Sequence, residues 1–237
     1  MITTLKQNKL GAKAAIVQGM TAAWPICLGY IPIGLAFGVL AQKAGLSPLE
    51  IGLMSVFVFA GSSQFIAVSM LASGAATIPI VITTFMVNLR HILMSSSLTV
   101  HMGSVKKSLL SIFAYGVTDE SFAVNHALFR AGDWDIHRAL VVNQVSNAAW
   151  IAGTIMGGIG GQFIPAGSFG IDYALSAMFI CLLIFQLNGR VYVITAMVAG
   201  FFSVFLSVTV PGNSYIVIAS ILAATLGVII KKWKTNI

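Results

Sequence analysis

Charged residues are scarce in this chain of 237 residues, where Asp, Glu, Lys and Arg together make up only 8% of the sequence. A soluble domain usually carries about 25% charged residues, and so few charges cannot cover a water-exposed surface without large apolar patches. Hydrophobic residues make up 58% of the chain, and its mean hydropathy is +0.95. The composition therefore excludes an ordinary soluble domain and indicates an integral membrane protein.

The chain has only two cysteines and no recognisable catalytic motif. Cys27 and Cys181 both lie within apolar runs and lack the spacing of metal ligands, so the sequence predicts neither a disulfide nor a metal site. The glycines at 153–161 are not followed by Lys-Ser/Thr, which excludes a phosphate loop, and no Gly-x-Ser-x-Gly motif is present. We therefore predict no cofactor and no enzymatic activity.

The net charge of +7 comes from basic residues placed mainly at the two ends of the chain. The terminal basic residues are Lys6, Lys9, Lys13, Lys231, Lys232 and Lys234. This placement is typical of membrane proteins whose ends face the cytoplasm beside anionic lipid. No basic stripe is interleaved with aromatic residues, so the sequence does not favour nucleic acid as a partner.

The apolar residues form eight segments, most of them long enough to cross about 30 Å of hydrocarbon. The segments span residues 14–41, 49–73, 75–100, 108–129, 139–163, 171–187, 191–210 and 214–230. The first is longer than the roughly 7–15 apolar residues of a signal peptide, which predicts a retained span. We therefore predict a single all-α membrane domain over residues 1–237 with about eight crossings.

The distribution of Lys and Arg tests this topology. With both termini in the cytoplasm, nine Lys and Arg residues lie inside and three lie outside, as the positive-inside rule predicts. The outside pair Lys106–Lys107 conflicts with that arrangement. One re-entrant segment, leaving seven crossings, is the alternative.

Several segments are interrupted by residues that disfavour a continuous helix. Pro25 and Pro32 are predicted to break the first segment, because proline removes a helix hydrogen bond. Gly61-Ser62-Ser63-Gln64 lies in the middle of the second. Interrupted helices are one way in which transporters build a binding site at mid-membrane depth. A faint similarity between residues 45–65 and 167–187 suggests an internal repeat, with chance as the alternative.

Ionisable residues inside the apolar segments are the strongest functional signal. Four of the six acids lie in links or at segment ends, whereas Asp119 and Glu120 lie well inside a segment. Arg90, beside His91, is the only basic residue well inside one. Each costs roughly 2.5–3.5 kcal/mol at the membrane centre, so they must pair or face water. We expect Arg90 to pair with one acid, leaving the other acid and His91 to bind an ammonium group or carry a proton. A purely structural ion pair, or a segment boundary drawn wrongly, is the alternative.

Small and polar residues supply a second candidate site. A helix that begins near Gly61 would direct its positive N-terminal end at an anion such as a carboxylate, whereas close helix packing is the alternative. Asn88 has the same two interpretations and lies two residues before Arg90. The spacing of Gly153, Gly157 and Gly161 favours close helix packing.

Five short motifs follow one another along the chain and begin at Pro32 (PIGLAFGVLA), Gly45 (GLS), Phe59 (FAGSSQF), Asn88 (NLRHILM) and Thr118 (TDESF). In this order they resemble the AzlC family of branched-chain amino acid permeases. The resemblance implies the large subunit of a two-part exporter of small hydrophobic amino acids such as valine in the bacterial inner membrane. It also implies secondary active transport driven by protons and a small membrane partner of the AzlD type.

The residues and the resemblance together identify a set of binding and coupling residues. They are Gly61, Ser62, Ser63, Gln64, Asn88, Arg90, His91, Thr118, Asp119 and Glu120. Arg90 and His91, or an opened helix end, would take the substrate carboxylate, and Asp119 or Glu120 would take the ammonium group. Two alternatives stay open: a membrane-embedded enzyme with Asp119, Glu120 and His91 as acid–base groups, and a membrane subunit that does not itself transport.

Overall fold

The computed structural model describes residues 2–103, 105–132, 134–164 and 189–209, together with isolated residues and short stretches within 173–187 and 218–230. Every regular element among these residues is helical, which confirms an all-α membrane protein. The helices are α1 (Ile2–Lys43), α2 (Pro48–Val58), α3 (Gly61–Ala72), α4 (Thr77–Thr99), α5 (Lys107–Tyr115), α6 (Asp119–Ala131), α7 (Ile136–Gly160) and α8 (Arg190–Thr209). A 3-10 turn at Gly161–Phe163 follows α7.

Three of the described helices are long and apolar enough to cross a membrane: α1 over Lys13–Lys43, α4 and α8. They coincide with the predicted segments 14–41, 75–100 and 191–210. The predicted segment 171–187 and the second half of the suggested repeat lie mostly outside the described residues, and segment 214–230 lies partly outside them. The total number of crossings therefore stays a prediction.

Two of the predicted segments are each built from two short helices. Segment 49–73 comprises α2 and α3, which are separated at Phe59 and Ala60. This break lies immediately before the Gly61 motif, where the sequence predicted an interruption. Segment 108–129 was predicted as one span, but it comprises α5 and α6, which are separated at 116–118.

Helix α1 corrects one prediction, because it continues through both Pro25 and Pro32. The predicted helix breaks at these prolines are therefore wrong. Both prolines lie on the exposed face of α1, two turns apart, whereas Cys27, Tyr30 and Phe37 are buried. The lost hydrogen bonds fall on the outer side of the helix, and packing of the inner face holds the helix together.

Glycines bring α1 and α7 into backbone contact, which confirms the close helix packing that the glycine spacing in α7 predicted. A Cβ atom on Gly38 would collide with the carbonyl oxygen of Thr154, and one on Gly157 would collide with that of Leu35. A Cβ atom on Gly153 would lie 3.0 Å from the Ile31 carbonyl oxygen. Helices that approach this closely gain dispersion contacts along their whole length, which is a main source of helix association in membranes.

Candidate functional site

The two helix breaks place the N-terminal ends of α3 and α6 beside one cavity of about 40 Å³. This volume holds about three water molecules, at roughly 10–15 Å³ each. Seven of the predicted site residues line it: Gly61, Ser62, Arg90, His91, Thr118, Asp119 and Glu120. Five further residues that the sequence did not identify complete the wall: Tyr30, Ile33, Phe59, Ala60 and Trp150.

The N-terminus of α3 is open toward the cavity. Its first residue, Gly61, follows Ala60, which has no side chain able to cap the helix, and no side chain among the described residues supplies a cap. The first backbone bond of the helix runs from the Gln64 N–H to the Ala60 carbonyl. Uncapped N–H groups and the helix dipole make this end electropositive.

Arg90 reinforces that positive character. Its Nη2 donates a hydrogen bond of 2.5 Å to the hydroxyl oxygen of Ser62, in the first turn of α3. Its Nη1 lies 2.8 Å from Oδ2 of Asp119, and the two side chains are 30% and 25% exposed. The Nε atom of Arg90 is buried and has no hydrogen-bond partner among the described residues. The guanidinium group therefore joins the ends of α3 and α6 and keeps its Nε–H available.

The N-terminus of α6, by contrast, is closed by its own side chains. The Thr118 hydroxyl accepts from the Ser121 N–H at 3.3 Å, and the Ser121 hydroxyl accepts from the Thr118 N–H at 2.9 Å. This reciprocal pair is a capping box with serine at the third helical position. Asp119 and Glu120 occupy the first turn, where negative charge is favourable.

The two adjacent acids point to different partners, as the angle of about 100° between consecutive helical residues requires. Asp119 forms the ion pair with Arg90. Glu120 instead accepts a hydrogen bond of 2.6 Å from the hydroxyl of Tyr30, which also lies 2.7 Å from the Thr118 hydroxyl. Across the part of the chain that the structure describes, Glu120 has no cationic partner. It is thus the acid whose charge is left uncompensated.

His91 adds a polar atom with no partner. Its Nδ1 lies 2.8 Å from the Val117 carbonyl oxygen, and because a carbonyl only accepts, Nδ1 carries the hydrogen. The Nε2 atom is buried and makes no hydrogen bond to any described residue. In the neutral ring this atom is an acceptor.

Three predicted residues surround the cavity without lining it. The Ser63 hydroxyl donates to Asn88 Oδ1 at 2.5 Å, which ties α3 to α4. The Gln64 side chain is fully buried and contacts Trp150 and Ser55. These residues hold the walls of the cavity in place.

A polar stripe on α7 is the main feature that the sequence analysis missed. Asn143 donates to the Phe113 carbonyl at the end of α5, and Asn147 donates to the Tyr115 hydroxyl. Further along, Trp150 donates to Gln64, and Thr154 shares a hydrogen bond of 2.8 Å with Ser55. One helix thus satisfies polar groups of both broken helices, as non-helical backbone at membrane depth requires. The spacing of three or four residues between these polar positions was the available signal.

No group of three or more His, Cys, Asp or Glu side chains within the described ranges is arranged to hold a metal ion. The chemistry available at the cavity is therefore that of one guanidinium, two carboxylates, one imidazole, hydroxyl groups and an open helix end. The aromatic rings of Tyr30, Phe59 and Trp150 supply an apolar face to the same space.

Comparison with known proteins places this site in a family. The family described as AzlC protein matches residues 25–164, a range that contains every residue lining the cavity. The chain is 31% identical over 194 residues to the inner membrane protein YgaZ of Escherichia coli, covering 78% of this chain and 79% of that protein. It is 33% identical over 187 residues to a membrane protein of Archaeoglobus fulgidus, covering 77% of this chain and 81% of that protein.

A further relative has a name that states a function. The branched-chain amino acid transport protein AzlC of Bacillus subtilis is 32% identical over 164 residues, covering 68% of this chain and 64% of that protein. No solved structure matches the chain.

Proposed function

The chain belongs to the AzlC family, and from this premise we propose that it transports branched-chain amino acids such as valine. The observation that carries the proposal is the polarity of the cavity. Arg90 and the open end of α3 make one side electropositive, and Glu120, which has no cationic partner in the described ranges, makes the other side electronegative. A zwitterionic amino acid has the matching arrangement of charges.

The substrate carboxylate is proposed to bind at the open N-terminus of α3. Ala60 leaves the first N–H groups of this helix without a cap, and Arg90 keeps its Nε without a partner among the described residues. A carboxylate satisfies both, because it accepts several hydrogen bonds at once and favours a guanidinium partner.

The substrate ammonium group is proposed to bind between Glu120 and His91. Glu120 supplies a carboxylate that no described cation neutralises, and His91 Nε2 supplies a neutral acceptor. The branched side chain then faces the apolar part of the wall, formed by Ile33, Phe59 and Trp150. The carboxylate and ammonium groups of the substrate thereby meet groups of opposite charge, and its apolar side chain meets apolar residues.

The proposal for the direction and coupling of transport rests on Glu120, the acid at the cavity that has no cationic partner among the described residues. We infer that Glu120 binds either the ammonium group or a proton, because one carboxylate cannot hold both. A site that exchanges one for the other moves them in opposite directions, so an inward proton gradient drives the amino acid outward. This is secondary active export by alternating access, in which the cavity of about 40 Å³ must enlarge to admit the substrate.

We further propose that the chain works as part of a two-component permease in the bacterial inner membrane. The resemblance to the family supports a small AzlD-type partner. The basic residues at both ends of the sequence support cytoplasmic termini next to anionic lipid. The AzlC-type chain would then be the large subunit that contains the binding site.

Efflux from proteoliposomes tests this function. The chain is reconstituted with and without the small partner, the vesicles are loaded with labelled valine, and a pH gradient is imposed. We expect saturable efflux of chemically unchanged valine that accelerates when protons flow in the opposite direction. Absence of efflux from folded protein with its partner contradicts amino acid transport, and efflux insensitive to the gradient contradicts proton coupling. Conversion of valine or lipid into another compound would instead favour an enzyme.

A further inference from the structure

The indole of Trp150 is fixed from several sides, although it forms part of the wall of a cavity that must change during transport. Phe37 stacks on it at 6.0 Å between ring centroids, and Tyr30 meets it edge-on at 5.4 Å. A Cβ atom on Gly61 would lie 3.1 Å from Cη2 of Trp150. Any residue larger than glycine at position 61 would therefore displace the indole ring. The side chain is 2% exposed.

A buried hydrogen-bond chain sets the rotation of this indole. Trp150 Nε1–H donates to Gln64 Oε1 at 2.8 Å, and Gln64 Nε2 donates to the Ser55 hydroxyl at 3.1 Å. Ser55 is in turn hydrogen-bonded to Thr154, and neither Ser55 nor Gln64 is exposed. An unsatisfied indole N–H in such a place is unfavourable, so the chain holds the ring in one orientation.

We propose that Trp150 determines which substrate side chains the site accepts, and that Gln64 is the positioning residue that holds its indole. The inference rests on the proposed function, because it concerns the apolar part of the same site. The cavity of about 40 Å³ is small, so a modest displacement of a ring as large as indole changes its capacity strongly. One methylene group in a hydrophobic pocket alters discrimination by about 10- to 200-fold.

The test compares Gln64→Met, Trp150→Phe and the double variant in the complete complex. For each, the ratio of valine transport to phenylalanine transport is measured. We expect each single variant to lower this ratio about tenfold, because the wall recedes or loses its fixed position. In the double variant we expect the same valine-to-phenylalanine ratio as in Trp150→Phe alone. Gln64 acts only by holding the indole, so its loss has no further effect once the indole is absent.

Ser55→Ala is the matched control. It removes the other partner of Gln64 from the same buried chain, but it leaves the Trp150–Gln64 bond intact. We expect it to lower stability and to keep the valine preference of the unsubstituted chain. If Gln64→Met does not fold, Gln64→Glu keeps an acceptor for the indole N–H and is expected to keep the preference as well.

The outcomes separate this inference from the function on which it rests. Unchanged selectivity in folded Gln64→Met, altered selectivity in Gln64→Glu, or a further drop when Gln64→Met is added to Trp150→Phe, overturns the positioning role. Unchanged selectivity in Trp150→Phe overturns the role of Trp150 itself. Failure of the unsubstituted complex to transport any amino acid overturns the proposed function, and this inference with it.

Discussion

The two helix breaks lie at the same cavity, but the helix after one break is uncapped and the helix after the other is capped. The break before α3 ends in Ala60, which leaves the helix N-terminus uncapped, and a guanidinium group lies beside it. The break before α6 ends in Thr118, which forms a capping box with Ser121, and two acids follow in the first turn. One helix end is therefore unsatisfied and positive, whereas the other is satisfied and carries negative charge.

This difference bears on the role of an uncapped helix N-terminus within the membrane. Open N–H groups at membrane depth are unfavourable unless something binds them. The end of α6 uses its own side chains for this purpose, and the end of α3 does not. In the proposed function, α3 keeps its positive end for a ligand and α6 supplies the opposite charge.

The largest effect is expected from removing the charge on the negative side. Glu120→Gln should lower valine transport roughly 10- to 100-fold, because a hydrogen bond to a charged group contributes about 1.5–3 kcal/mol. It should also abolish the dependence on the pH gradient, as seen in proteoliposome efflux. Glu50→Gln, in the exposed capping box of α2, is the control and should transport normally. Proton-driven efflux by Glu120→Gln would contradict the assignment of Glu120 as the negative, proton-binding side of the site.

The ion pair that joins the two ends should give the next largest effect. Arg90→Asp or Asp119→Arg alone should lower transport about tenfold and stability by about 1–3 kcal/mol, between the values for surface and buried pairs. The double charge swap should restore part of the stability, measured as Tm in detergent. A swap no more stable than the poorer single variant would show that the contact of 2.8 Å does not couple the helices.

A cap added to α3 should make the two breaks more alike. Ala60→Ser supplies a hydroxyl that competes with the substrate carboxylate for the open N–H groups, so valine transport should fall several-fold while stability rises by up to about 1 kcal/mol. Ala76→Ser adds the same cap to α4, whose N-cap alanine also lacks a side-chain bond but does not line the cavity. Equal transport losses in both variants would argue against ligand binding at α3.

A cap removed from α6 should have the smallest effect on transport. Thr118→Val keeps the side-chain volume but loses the bond to the Ser121 N–H, which should cost about 1 kcal/mol of stability. Transport should change only a few-fold, because the substrate is not expected to use these N–H groups. Thr84→Val, which loses a bond to a carbonyl of its own helix, is the matched control. A transport defect as severe as that of Glu120→Gln would show that the substrate does depend on the capped N–H groups of α6.

The sequence predicted the features that depend on local composition. Apolar runs located α1, α4 and α8, and the cost of buried charge identified Arg90, Asp119 and Glu120 as a group. Glycine spacing in α7 predicted close helix packing, because backbones approach closely only where side chains are absent, but it did not identify α1 as the partner.

Features that depend on which face of a helix is buried could not be predicted. Pro25 and Pro32 were expected to break α1, but the tertiary packing that overrides them depends on α7, more than a hundred residues away. Gln64 was expected in the cavity, but it faces Trp150. The roles of Tyr30 and Trp150 likewise rest on partners 90 and 86 residues distant in sequence.

The glycine contact between α1 and α7 has a mechanical consequence. Where two backbones touch without intervening side chains, neither helix has flexible atoms that would allow it to slide along the other. These two helices therefore behave as one rigid frame. The short helices on either side of each break pack on that frame through side-chain contacts and hydrogen bonds instead, such as those from α7 to α2 and α5 and from Tyr30 to α6. We propose that these short helices are the parts that move when the protein opens first to one side of the membrane and then to the other.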